Sequence, residues 1–127
     1  MLNIFILRKR KKASVKKVSP QSKKLRAAAR AIVLERVEYF NQHYQLQYGR
    51  IFIKDQKTRW GSCSSKGNLN FNYRIAMLPK ELQDYLVVHE LCHLQEMNHG
   101  PNFWKLMMEQ IPNAKALNKE LKSYSFK

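Results

Sequence analysis

Cysteine is scarce in this chain. Two residues, Cys63 and Cys92, stand 29 positions apart in 127, so they support neither a CxxC metal knuckle nor a disulfide framework, and a reducing cytoplasm is the expected compartment. Long apolar runs are missing too. The stretch from Leu2 to Leu7 is shorter than a signal-peptide core, and its charges follow rather than precede it, so export is not expected. Nothing approaches the roughly 20 apolar residues of a membrane span. Acid is the scarcer charge: nine Asp and Glu stand against 24 Lys and Arg, a balance of 24 − 9 = +15, and residues 1–34 contain no acid at all.

Divided along the chain, that balance is mostly a property of one end. Residues 1–34 hold 11 Lys and Arg, whereas residues 35–127 hold 13 basic and nine acidic residues, 13 − 9 = +4. The run Arg8, Lys9, Arg10, Lys11, Lys12, Lys16 and Lys17 could contact phosphates by releasing counterions, giving a weak nucleic-acid contact. No aromatic residues interleave it as base-stacking platforms would, so a solvated basic arm over residues 1–19 is the preferred expectation. The remainder, residues 20–127, has the length of one domain with one modest core. Over the whole chain, a hydrophobic fraction of 44% and 6 + 6 + 2 = 14 aromatic residues mark a folded protein rather than a disordered one.

Ser19-Pro20 resembles a helix start, and Leu25, Ala28, Ala29, Ile32, Tyr39, Phe40 and Tyr44 recur at helical spacing, which predicts a long first helix from Pro20 to about Gln47. Three short strands are expected next, over Arg50–Lys54, Thr58–Ser62 and Asn68–Tyr73. In the third, Leu69, Phe71 and Tyr73 alternate with Asn68, Asn70 and Asn72, the period of a half-buried strand. Ser64-Ser65-Lys66-Gly67 supplies hairpin-turn chemistry between the second and third. Pro79 opens a helix carrying Leu82, Leu86, Val87, Leu91 and Leu94 to Asn98, with Gly100 as its stop. A further helix starts at Pro101, with Phe103, Leu106, Met107 and Ile111, and breaks at Pro112; a last short one follows from Asn113. The expected architecture is α+β: a long N-terminal helix, a small three-stranded, mainly antiparallel sheet, a motif-bearing helix and short C-terminal helices.

The motif is His89-Glu90-Leu91-Cys92-His93, an HExxH on a predicted helix. Histidines at i and i+4 lie on one face about a turn apart, so both imidazoles can reach one tetrahedral ion. Glu90, rotated roughly 100° from His89, falls short of the metal. It is placed to act as general base on a water that the metal activates. With this composition the pattern arises by chance in on the order of one such chain in a hundred, and its flanks, Leu86, Val87, Val88, Leu91 and Leu94, place it on a largely buried helix where polar residues need a use.

A catalytic zinc needs a third protein ligand and one open position. His99 follows His93 by six residues, the histidine spacing of HExxHxxGxxH. That pattern's glycine position is Glu96 here, so the helix is expected to run on before the chain turns at Asn98–Gly100. Glu109, on the following helix, is the rival ligand. Glu96 stands three residues after His93 and seven after His89, on the metal-facing side, and is expected to hold an imidazole in its tautomer. Cys92 is read as a small core residue, and His43 as unrelated to the metal.

The segments Val88-His89-Glu90-Leu91-Cys92-His93-Leu94, then Glu96, His99, Phe103 and Trp104, together with Thr58-Arg59-Trp60-Gly61-Ser62-Cys63-Ser64 and Gly67-Asn68-Leu69-Asn70-Phe71-Asn72, resemble the YgjP-like metallopeptidase family and, distantly, the SprT group. The resemblance spans about Pro20 to Ile111 and implies a zincin-like fold over residues 20–127. It implies one Zn²⁺ held by His89, His93 and His99, with Glu90 catalytic. It also implies a peptide or protein substrate, although UTP pyrophosphatase activity has been attached to a member. Physically, an edge strand ahead of an HExxH helix commonly aligns an extended substrate, so Trp60, Gly61, Ser62 and Cys63 are expected to form a cleft wall. Arg59 and Arg74 could offer charge to a carbonyl or phosphate oxygen; the alternative is that Trp60 is core and Arg59 a surface cation. A zinc metallopeptidase is thus the leading expectation. Its rivals are a nucleoside triphosphate (UTP) pyrophosphatase using the same zinc, and a nucleic-acid-associated protein with a structural zinc.

Overall fold

The computed structural model describes residues 20–126; the expected basic arm, residues 1–19, lies outside them. The first helix, α1, runs Pro20–Tyr44, with proline at the position where its missing N–H costs nothing. Its buried seam is Ala29, Val33, Val37 and Phe40, spaced 4, 4 and 3 along the chain, the spacing of one helix face. The expected stripe was set a little off this line: Ala28 and Tyr39 face solvent, while Val33 and Val37 are inside. Periodicity places an apolar arc only to within about one residue's rotation, and α1 is seated here against both the turn over Tyr73–Met77 and the later motif helix. Arg36 adds a bidentate pair to Asp84 of that helix at 2.9 and 3.3 Å. The helix stops three residues short of Gln47 because Gln45 takes a left-handed φ of 50° and the Asn41 side chain bonds both the N–H and the C=O of Leu46.

Three strands follow: β1 (Ile51–Lys54), β2 (Gly61–Cys63) and β3 (Leu69–Asn72). The sheet order is β1-β3-β2. β1 pairs with β3 in parallel and β2 with β3 antiparallel, Ser62 opposite Asn70, so the sheet is mixed rather than mainly antiparallel. The link over 55–60 reverses the chain but delivers β2 to the far edge, and the hairpin then folds β3 into the space between, running the way β1 runs. Gly67, at φ 84°, makes that hairpin turn, with the Ser64 hydroxyl accepting from the N–H groups of Lys66 and Asn68.

All four residues of β3 are buried, so the expected half-buried alternation does not hold. As the central strand it is covered on both faces, and its asparagines are structural: Asn70 donates to the Ser62 hydroxyl, and Asn72 to the carbonyls of Gln56 and Arg59. The Asn72 oxygen also accepts from the Arg74 N–H, starting a 3-10 turn over Tyr73–Met77 that the sequence pattern did not suggest. Satisfied this way, buried amides cost little.

The motif helix, α2 (Lys80–Cys92), has Pro79 at its cap and is buried nearly all round through Leu82, Tyr85, Leu86, Val87, Val88, Leu91 and Cys92, the signature of a central helix. It ends at Cys92, six residues before the expected Asn98. The N–H groups of Leu94 and Gln95 close tight bonds to Leu91 and Cys92 carbonyls, and the Glu96 carbonyl turns back to His93. Two short helices, α3 (Pro101–Met108) and α4 (Ala114–Leu121), close the core through Phe103, Met107, Ala114, Leu117 and Leu121.

Candidate metal centre

Three imidazoles converge where α2 ends. His89 comes from its last turn and His93 from its cap. The early end of the helix brings the chain round so that His99, just before α3, faces them both. The Nε2 atoms form a triangle: 3.1 Å from His89 to His93, 3.3 Å from His89 to His99 and 2.9 Å from His93 to His99. A tetrahedral ion about 2.0–2.1 Å from each nitrogen separates them by roughly 3.3 Å, so the rings need to open by only a few tenths of an ångström. Among the described residues this is the group that could hold a metal ion.

Proton placement argues for a cation rather than a hydrogen-bonded cluster. His93 Nδ1 lies 3.0 Å from the Glu96 carbonyl, which can only accept, so the proton of His93 is on Nδ1 and its Nε2 is a lone pair. His89 Nδ1 lies 3.2 Å from the Tyr85 hydroxyl, whose hydrogen is given to Asn118 Oδ1 at 2.8 Å; His89 therefore also carries its proton on Nδ1. Two lone pairs 3.1 Å apart repel unless a positive ion lies between them. Burial, with the neighbouring His93 and His99 adding to it, pushes His89 down to about 3, and burial lowers His93 as well, which keeps both rings neutral and ready to ligate.

Phe103, fully buried, supports all three rings, with centroid distances of 5.1, 4.7 and 4.9 Å to His89, His93 and His99. Trp104 packs on His99 at 6.3 Å. Neither this aromatic support nor the Tyr85–Asn118 pair was assigned from the sequence. Tyr85 stood four residues before His89, one turn away on the same face, which is the signal that could have found it.

Glu90 packs against the sheet, its carboxylate close to β2. It is 3% exposed, and its Oε1 has no hydrogen-bond partner. A Cβ at Gly61 would stand 2.9 Å from Glu90 Oε2 and 2.9 Å from the Asn70 carbonyl, so β2 approaches the carboxylate this closely only because residue 61 has no side chain. Burial, opposed by Arg59, pushes this carboxyl up to about 8. A buried carboxyl with an unpartnered oxygen and a strongly raised pKa is a perturbed acid of the kind found at functional sites.

The other expected residues divide. Glu96 does reach His93, through its main-chain carbonyl rather than its carboxylate. Arg59 is exposed and Trp60 half-buried, the indole ring 4.6 Å from that of Phe126; Ser62 is tied to Asn70. Arg74 is 3% exposed, and its guanidinium binds Asp55, the Gln56 carbonyl and Asn72 Oδ1. It thus holds the loop leading into β2. Glu109 pairs with His43 at 2.9 Å, outside the histidine cluster. Cys92 is fully buried, and burial pushes its thiol up to about 12, as befits a core residue.

Fold, cluster and family model together place the chain among the metal-dependent hydrolases of the metallopeptidase type. More particularly, the chain belongs to the YgjP-like family, whose metallopeptidase-domain model matches residues 4–124. Among solved structures it is similar to the metallopeptidase zymogen abylysin of Pyrococcus abyssi, with 23% identity, a TM-score of 0.65, and 72% of this chain and 92% of that one covered. It is also similar to the zymogen jannalysin of Methanocaldococcus jannaschii, with 23% identity, a TM-score of 0.57, and 75% and 94% covered. At that identity the likeness is one of fold. No curated protein matches the chain.

Proposed function

We propose that this domain is a zinc-dependent peptidase in which one ion is held by His89, His93 and His99 and Glu90 is the general base. The observation that carries this is the pair of facing imidazole lone pairs at 3.1 Å, with both Nδ1 protons committed elsewhere. Neutral imidazoles suit zinc, and three protein ligands leave one position open. Zinc bound there supplies Lewis acidity toward a scissile carbonyl and lowers the pKa of water. Glu90 takes the proton released as the carbonyl is attacked and passes it to the departing amine. Its desolvated carboxyl, with one oxygen unpartnered, has a reason to take up a proton and is not committed to any other group.

A peptide substrate is supported by β2. Trp60 and Ser64 bond inward to β3, through Asn72 N–H to Trp60 O and Ser64 N–H to Asn68 O. In antiparallel alternation this turns the N–H and C=O groups of Gly61 and Cys63 away from β3. That edge can take an added strand, and Gly61 puts it beside Glu90. The family match favours a peptide and speaks for neither the nucleotide nor the nucleic-acid partner, and no described helix is long and apolar enough to cross a membrane.

The test is metal analysis with casein, peptide and UTP turnover on the zinc-loaded full chain and on Glu90→Gln. One zinc per chain in both proteins, with peptide cleavage lost in the variant, is expected. UTP turnover without any peptide cleavage would overturn the substrate class, and unchanged cleavage in the variant would remove Glu90 from its role.

A further inference from the structure

We infer that Tyr85 and Asn118 are positioning residues that set the tautomer and ring plane of His89, so that α4, which contributes no ligand, controls how tightly the site binds zinc. This rests on the three-histidine site proposed above.

Tyr85 is 1% exposed. Its hydroxyl lies 3.2 Å from His89 Nδ1 and 2.8 Å from Asn118 Oδ1. A phenol has one hydrogen. Given to the Asn118 carbonyl oxygen, it leaves a lone pair that must accept the Nδ1 proton of His89, and Nε2 is then free to ligate. Were Asn118 to present its NH₂ group instead, the phenol hydrogen would turn to His89 Nδ1, the imidazole proton would move to Nε2, and the ligand would be blocked. The direction of the chain of bonds therefore matters, and its direction is set on α4.

The two helix histidines are held differently. His93 is oriented by a main-chain carbonyl, which no substitution removes, whereas His89 depends on two side chains from two helices. A buried hydroxyl is costly unless hydrogen-bonded, and Tyr85 lies in a buried stretch of α2 that is otherwise mostly apolar, with Leu82, Leu86 and Val88, where phenylalanine would fill the same space. The hydroxyl is thus used for its bonds and not for filling space.

The experiment measures zinc affinity by chelator competition on the full chain for Tyr85→Phe, Asn118→Leu and Asn118→Asp, with the His89 tautomer of the metal-free proteins read from imidazole ¹⁵N shifts. Tyr85→Phe and Asn118→Leu are expected to bind zinc about 10- to 100-fold more weakly, the usual effect of losing a ligand's outer hydrogen bond. Asn118→Leu should also move the His89 proton toward Nε2. Asn118→Asp, which can only accept, should stay within about threefold of the parent. Wild-type affinity in Asn118→Leu, or an Asn118→Asp protein as weak as Asn118→Leu with both folded by circular dichroism, overturns the inference. A parent chain that binds no zinc sinks instead the three-histidine reading beneath it.

Discussion

Removing the metal should give this protein an unusual dependence of stability on pH, with a direction at each end fixed by one named residue. In the metal-free fold the Glu90 carboxyl is raised by burial from its ordinary 4.5 to about 8. The folded chain therefore keeps a proton that the unfolded chain releases, and stability falls as pH rises from 4.5 to 8. His89 does the reverse. Lowered by burial from 6.5 to about 3, it refuses a proton that the unfolded chain takes up, so its contribution is complete above 6.5 and is lost as pH falls toward 3. Each slope approaches 1.36 kcal/mol per pH unit. Between 4.5 and 6.5 Glu90 and His89 oppose each other, and His93, also lowered by burial, leaves a gentle rise with pH. On the alkaline side, the stretch from 6.5 to about 8 costs about 2 kcal/mol.

Glu90→Gln isolates the alkaline limb. The amide cannot ionise, so the metal-free variant should gain stability up to about pH 6.5 as its lowered histidines dictate and then stay level to pH 8, where the parent, with 8 − 4.5 = 3.5 pH units of ionisation held against burial, lies on the order of 5 kcal/mol below its protonated form. A substitution that abolishes the proposed activity should therefore stabilise the metal-free fold, as replacing an uncompensated buried charge does. Zinc should close the gap, because a cation beside the carboxylate offsets its lost hydration. Urea unfolding with chelator present, at intervals from pH 4 to 9 for both proteins, measures this. A metal-free parent that gains stability between pH 6.5 and 8, or a variant whose curve runs parallel to it, would refute the account of Glu90 as a desolvated, unpartnered acid.

Other expectations follow from single contacts. Gly61→Ala puts a methyl 2.9 Å from both Glu90 Oε2 and the Asn70 carbonyl; kcat on a peptide should fall about tenfold or more through misplacement of the base, with zinc content unchanged, and a wild-type kcat would show that the clearance is not needed. His99→Ala should weaken zinc binding by roughly a hundredfold or more, beyond the usual loss of an outer-shell partner, while Glu109→Ala should leave it intact; the opposite pattern in chelator competition would make Glu109 the third ligand. Arg74→Leu strips Gln56, Asn72 and Asp55 of a partner and should cost about 1–3 kcal/mol of stability, read from a urea midpoint, and raise KM for an extended peptide by loosening the approach to β2.

Much of the site was legible because HExxH states its own geometry. A four-residue separation on a helix places His89 and His93 together whatever surrounds them, and the six-residue step to His99 was a readable spacing. The helix end was not legible. Leu94 and Glu96 carry no breaker, and the turn after Cys92 arises because the Glu96 carbonyl satisfies His93, a tertiary preference that propensity does not encode. The same limit explains β3. Alternating asparagines read as a wet face, yet Asn70 and Asn72 are buried because Ser62, Gln56 and Arg59 come to meet them. Arg74 looked like a charge offered to substrate, and only the fold shows it turned inward toward Asp55. The parallel pairing of β1 with β3 was hidden because strand order across a three-stranded sheet is not written in strand periodicity.

The carbonyl of Glu96 has a consequence for how the site can vary. Because the atom that orients His93 belongs to the peptide backbone, the instruction is carried by chain path and is indifferent to the identity of residue 96, as long as that residue can follow the turn. The side chain there, half-buried, is left open to change. A neutral, basic or bulky replacement should leave the backbone's hold on the His93 ring as it is.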